Sequence, residues 1–144
     1  MLVSQILKSK SDDGVVTMPP ETPLSKVAEL LSSRWIGSVV ISTDGKVVLG
    51  ILSERDVVRE LGRRGAACLT DTAGALMTTK VKTCSCGDMA DDVLQLMTDG
   101  RFRHMPVVEE GQMVGLISIG DVVKARLGEL SMEKNALVQM VKGY

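Results

Sequence analysis

"GILSERDVV" at residues 50–58 and "GLISIGDVV" at residues 115–123 are one phrase written twice. Each reads Gly, two apolar residues, Ser, two variable residues, Asp, Val, Val, and the step from Ser53 to Ser118 equals that from Asp56 to Asp121. The match extends backwards. "IGSVVISTDG" (36–45) aligns with "FRHMPVVEEG" (102–111), and "VVTMPPETPLSKVAELLSS" (15–33) with "VKTCSCGDMADDVLQLMTD" (81–99). A chain of 144 residues is therefore a duplication, each half about 50 residues long with the same order of elements.

In the first half, Val15 to Met18 reads as a short strand. Thr22 followed by Pro23 marks a helix start, a hydroxyl cap and then a proline whose missing N–H costs nothing. Leu24, Val27, Ala28 and Leu31 then recur at helical spacing. Val39 to Ser42 and Val47 to Leu52 read as paired strands joined by a turn at Thr43-Asp44-Gly45-Lys46. Both are continuous apolar runs, which predicts a sheet covered on both faces. Ser53 caps a helix to about Leu61, stopped by Gly62, and a short helix is expected near Ala73 to Met77. The second half repeats the scheme: strand 81–84, helix 88–98 ended by Gly100, strands 105–108 and 113–117, and a helix from Ser118 running toward 142. The expected organisation is an N-terminal segment (1–14) packing on the module, a first unit (15–62), a linker (63–79), a second unit (80–130) and a C-terminal helical extension (131–144). The fold class is α/β of the α+β type, two quasi-symmetric β-α-β-β-α units with a long C-terminal helix. A single core supplies little net stability below roughly 70 residues, so the two units are expected to pack face to face and to create two quasi-equivalent clefts.

Composition narrows the function. Apolar residues make up 44% of the chain but only Trp35, Phe102 and Tyr144 are aromatic, so the core is aliphatic, with nine methionines as filler. The net charge of −1 gives no global attraction to nucleic acid or anionic membrane. The pair Arg101 and Arg103 around Phe102 is too small to reverse that. No apolar run approaches the ~20 residues of a membrane span. The opening "MLVSQILKSKSDDG" lacks a secretory core and cleavage site, so a cytoplasmic location is expected. Cys68, Cys84 and Cys86 form no disulfide pattern, and with His104 the only histidine the C-S-C pair has no partners for a zinc site; no metal is expected.

Ser-x-x-Asp at a strand-to-helix turn has a chemistry of its own. The Ser stands where backbone N–H groups are unpaired and the helix dipole is positive, which favours a phosphate. The Asp, one turn along, can accept two hydrogen bonds from a vicinal diol. The same pattern is also an ordinary capped helix start. Two copies at the same place in a repeat favour the ribose-phosphate reading.

The stretches "IGSVVISTDGKVVLGILSERDVV" and "FRHMPVVEEGQMVGLISIGDVV" resemble a tandem pair of cystathionine-β-synthase (CBS) domains, the arrangement called a Bateman module, over roughly residues 2–130. The wording is most similar to stand-alone bacterial proteins made of this pair alone. The resemblance implies a regulatory sensor without catalysis that binds an adenosyl ligand: AMP first, otherwise ADP, ATP, NAD(H) or S-adenosylmethionine. It implies that Asp56 with Ser53, and Asp121 with Ser118, hold ribose and phosphate. Ile36, Gly37 and Ser38, and Arg103, His104, Met105 and Pro106, would flank the base, while Thr17, Lys80 and Val81 would close the pockets. Arg55, as a guanidinium fork, is a candidate phosphate ligand, and His104 a stacking or pH-responsive one. A homodimer is expected, with output through an unknown protein partner. An enzyme related to the regulatory region of inosine-monophosphate dehydrogenases is the weaker alternative: no catalytic constellation stands in the sequence, and a (β/α)₈ barrel typically needs ~250 residues. A scaffold that binds only proteins is the third.

Overall fold

The computed structural model describes residues 1–10 and 14–142. They form six α-helices, α1 (Val3–Ser9), α2 (Leu24–Arg34), α3 (Glu54–Arg64), α4 (Ala73–Leu76), α5 (Ala90–Gly100) and α6 (Ile119–Lys142). The strands are β1 (Thr17–Met18), β2 (Ser38–Ile41), β3 (Gly50–Ser53), β4 (His104–Glu109) and β5 (Gln112–Ser118). They divide into two compact units, each mixing helix and sheet, so the α+β class holds. The first unit holds residues 14–82 with 109–114; the second holds 1–10, 83–108 and 115–142.

In the first unit β1 pairs in parallel with β2, which pairs antiparallel with β3, placing Ser38 opposite Ser53 and Val40 opposite Ile51. All four residues of β2 are buried, as a continuous apolar run requires. Leu24, Val27 and Leu31 of α2 pack with Val39, Ile41, Leu52 and Val57 on one aliphatic core. Cys68 and Ala73 complete that core, so the 3₁₀ turn Gly65–Thr70 and α4 belong to this unit.

The second unit has the same order of elements, and its β4 pairs with β5; the turn between those strands, Glu110 and Gly111, groups with the first unit and has both residues at positive φ, as a two-residue hairpin demands. Its core gathers Ala90, Val93, Met97, Met105, Val107, Ile117 and Val122 with Val3 and Ile6 of α1. The opening helices are therefore exchanged. α1 precedes the first repeat in sequence but packs in the second unit, where Leu2 bridges Met89 at the start of α5. α4 precedes the second repeat but packs in the first unit, where Thr72 bridges Pro23 at the start of α2. Neither α1 nor this exchange is visible in apolar spacing, because each helix is too short to show a period.

Several expected boundaries move. Pro23, not Thr22, caps α2; the bridge to Thr72 holds it extended at ψ 149° while the Thr22 carbonyl accepts the Ala73 N–H at 2.7 Å. The return strand begins only at Gly50, because Asp44 Oδ1 accepts the N–H groups of Lys46 (2.8 Å) and Val47 (2.9 Å) and draws the chain into a loop. Gly62 lies within α3, which ends at Gly65 with φ 66°. The strand expected at 81–84 shrinks to a single bridge between Cys84 and Val107, since Pro106 brings no N–H to lengthen the ladder. Gly100 is the last residue of α5, where a Cβ would strike the Phe102 ring, and Arg101 takes the left-handed turn at φ 56°, as Trp35 does after α2 at φ 55°.

Burial pushes the Cys84 thiol up to about 12, with the charges of Asp88 and Cys86 adding to it. Since the thiolate is the reactive form, iodoacetamide at pH 8 should leave Cys84 unmodified in the native protein and modify it in guanidinium. Peptide mass spectrometry after an hour of labelling reads the result; native labelling at the denatured rate would contradict this packing.

Candidate functional site

The two Ser-x-x-Asp motifs fold into the same corner. In the first unit β3 ends at Ser53, whose extended backbone turns into α3. Asp56 N–H donates to Ser53 Oγ at 3.2 Å, while Ser53 N–H and Oγ–H donate to Asp56 Oδ2 at 2.9 and 3.0 Å. This reciprocal cap follows from the sequence spacing. The Glu54 N–H at the head of α3 donates to the Gly37 carbonyl at 2.9 Å, which fixes Gly37 beside the corner. Ser38, opposite Ser53, is only 4% exposed, and its hydroxyl has no hydrogen-bond partner among the described residues. Among the described residues the cation on Asp56 is the mostly exposed Arg59, at 3.4 Å from Oδ1.

In the second unit Asp121 N–H donates to Ser118 Oγ at 3.1 Å and Ser118 N–H donates to Asp121 Oδ2 at 2.9 Å. The Ile119 N–H donates to the Arg103 carbonyl at 2.8 Å, the counterpart of Glu54 and Gly37. Here the carboxylate carries an ion pair, with Lys10 Nζ 2.8 Å from Oδ2. The same ammonium donates to the Leu116 carbonyl at 2.7 Å. Burial works to raise the Asp121 pKa, but the hydrogen bonds from Lys10 and Ser118 prevail and hold it below the ordinary carboxylate range.

A depression of about 370 Å³ opens in the first unit, lined by Leu31, Ser32, Trp35, Ile36, Gly37 and Glu54. It brings Ile36 and Gly37 together with Glu54, the first residue of α3. Thr17 stands half-buried in β1, paired with Val40 one strand away. Arg55 is exposed on α3. Lys80 is exposed and Val81 half-buried, and both group with the first unit, apart from Arg103, His104, Met105 and Pro106 in the second. Of those four, Met105 and Pro106 are buried, His104 is half-buried at the start of β4 and Arg103 is exposed.

Two features escaped the sequence reading. Trp35 sits 94% exposed at the rim of the depression. Lys10 reaches the Asp121 corner only because α1 packs in the second unit. A signal for it exists: "LVSQILKSK" (2–10) runs parallel to "TAGALMTTK" (72–80), which places Lys10 level with Lys80. Among the described residues no group of three or more His, Cys, Asp or Glu side chains is placed to hold a metal ion. Nor is any helix there long and apolar enough to cross a membrane.

Comparison with known proteins places these corners in a family. The model of the CBS domain matches residues 3–63 and 73–128, and each match begins at an exchanged helix. The crystal structure of the CBS-domain containing protein ATU1752 from Agrobacterium tumefaciens is 43% identical, with a TM-score of 0.82, over 88% of this chain and 99% of that one. The CBS domain-containing protein CBSX3, mitochondrial, of Arabidopsis thaliana is 29% identical over 98% of this chain and 72% of its own length. The CBS domain protein PAE2072 from Pyrobaculum aerophilum, solved complexed with AMP, is 25% identical with a TM-score of 0.76 over 92% of this chain and 99% of that one.

Proposed function

The chain belongs to the CBS-domain family, and from that premise we propose that it is a regulatory module that binds an adenosyl nucleotide, with no chemistry of its own. AMP is the first choice of ligand, with ADP, ATP, NAD(H) and S-adenosylmethionine as the alternatives. The observation that carries this reading is the corner built twice: a serine cap, an acidic residue one turn along and a helix N-terminus, repeated from unit to unit. A helix start attracts phosphate, and a carboxylate held at its first turn receives a ribose diol. The buried Ser38 hydroxyl, with no partner among the described residues, supports a polar ligand atom in the first corner. The AMP complex of the Pyrobaculum relative supports the choice of nucleotide. We further propose a cytoplasmic homodimer that signals through a protein partner; exposed Trp35 and Val58, 94% and 67% accessible, support a second copy.

A thermal-unfolding screen of nucleotide-stripped protein tests the reading. AMP, ADP, ATP, NAD, NADH and S-adenosylmethionine form the panel, with GMP as control. A ligand at 100 times its Kd adds about 2.7 kcal/mol to stability, a rise of several degrees. Stabilisation by an adenosyl compound and none by GMP is expected. No response to any of them would replace this reading with that of a protein-only scaffold.

A further inference from the structure

The two corners have the same backbone but different occupants. Asp56 Oδ2 is filled by the N–H and hydroxyl of its own Ser53, both neutral donors. Asp121 Oδ2 is filled by the Ser118 N–H and the Lys10 ammonium. Lys80, level with Lys10 in the repeat, is exposed and makes no ion pair among the described residues. The cation at Asp56, Arg59, lies at 3.4 Å with 64% of its side chain exposed, where an ion pair contributes little. Lys10 and Asp121 are 35% and 25% exposed, and the Leu116 carbonyl fixes the ammonium from a second side.

We propose that Lys10 sets the two corners apart: its ammonium occupies the acceptor that a ribose diol needs at Asp121, so the diol must displace it there, and the Asp56 corner binds more tightly. This rests on the adenosyl reading of the corners. At Asp56 an entering diol has to turn a serine hydroxyl, which rotates freely, and to share Oδ1 with the long, exposed contact from Arg59. At Asp121 it has to break a charge-assisted hydrogen bond, roughly twice as strong as a neutral one. The module then carries one tight and one weak adenosyl site per chain, and the weak one responds to whatever draws Lys10 away. The device comes from the helix exchange. α1 delivers a lysine to the corner of the unit it packs in, while the shorter α4 leaves Lys80 in solvent.

The test isolates the second corner. Titration calorimetry with AMP is run on the unsubstituted chain, on Asp56→Asn, and on Asp56→Asn carrying Lys10→Met or Lys10→Arg. Removing the ammonium is expected to raise the AMP affinity of the Asp56→Asn protein at least tenfold, and Lys10→Arg, which keeps the ion pair, to leave it within about twofold. Lys10→Gln serves where Lys10→Met fails to fold by circular dichroism. A merely structural role for Lys10 cannot raise affinity when the residue is removed. An affinity unchanged or lowered by Lys10→Met, with Asp56→Asn itself weakened, overturns the role of Lys10 and leaves the adenosyl reading standing. AMP binding that Asp56→Asn does not weaken overturns the corner reading and this inference with it.

Discussion

Asp56→Asn is expected to lower the affinity of the protein for AMP by about 100-fold while leaving the fold intact. A vicinal diol on a carboxylate makes two hydrogen bonds to a charged acceptor, each contributing about 1.5–3 kcal/mol. An amide keeps one acceptor and sets a donor against the second hydroxyl. The net loss of about 3 kcal/mol corresponds to roughly 100-fold in Kd. The cap survives, because the remaining carbonyl oxygen accepts the Ser53 N–H that Asp56 Oδ2 now accepts at 2.9 Å. Helix starts tolerate Asn nearly as well as Asp, so the stability change stays within about 1 kcal/mol. Calorimetry and thermal unfolding on the same samples separate the two effects. Equal AMP affinity with and without the substitution would remove Asp56 from the binding site; equal loss of binding and of fold would reduce it to a capping residue.

The Ser53–Asp56 cap was legible because it is local. The serine cap, the carboxylate one turn along and the strand before them lie within a few residues, and two copies with one spacing separate a device from coincidence. Ser53, Ser118 and the runs that became β2, β4 and β5 were legible for the same reason. The misplaced boundaries share a different cause. The start of α2 depends on a bridge between Pro23 and Thr72, and the start of β3 on an aspartate that ties a loop. Gly62 looked like a helix stop yet lies inside α3, whereas α5 does end at Gly100, with the left-handed turn after it falling to an arginine. Lys10 was the least visible of all. Its partner is Asp121, and nothing in the composition of "LVSQILKSK" says that this helix packs in the unit built by the other repeat.

The glycine that opens each motif carries that exchange, and the two copies should respond unequally when substituted. A Cβ on Gly50 would strike the Met77 thioether and lie 2.8 Å from the Thr78 carbonyl oxygen; one on Gly115 would lie 2.6 Å from Leu7 Cδ2. Met77 and Leu7 are counterparts in the repeat, following α4 and within α1, so in both units the exchanged segment crosses over the motif glycine. The crossings differ in stiffness. Thr78 is locked to Ile51 by two backbone hydrogen bonds, N–H to carbonyl at 3.1 and 3.0 Å, and its carbonyl cannot retreat without breaking them. Leu7 offers the end of a half-buried side chain that can change rotamer. Gly50→Ala is therefore expected to cost about 2–3 kcal/mol, the upper range for overpacking, and Gly115→Ala about 1 kcal/mol or less. In a chain of this size that separates the melting temperatures of the two variants by roughly 5 °C. Equal destabilisation would show that the Thr78 carbonyl yields as readily as the Leu7 side chain. A larger loss at Gly115 would mean that α1, not the segment after α4, is the tighter of the two exchanged crossings, and would make the helix that bears Lys10 the more rigid support.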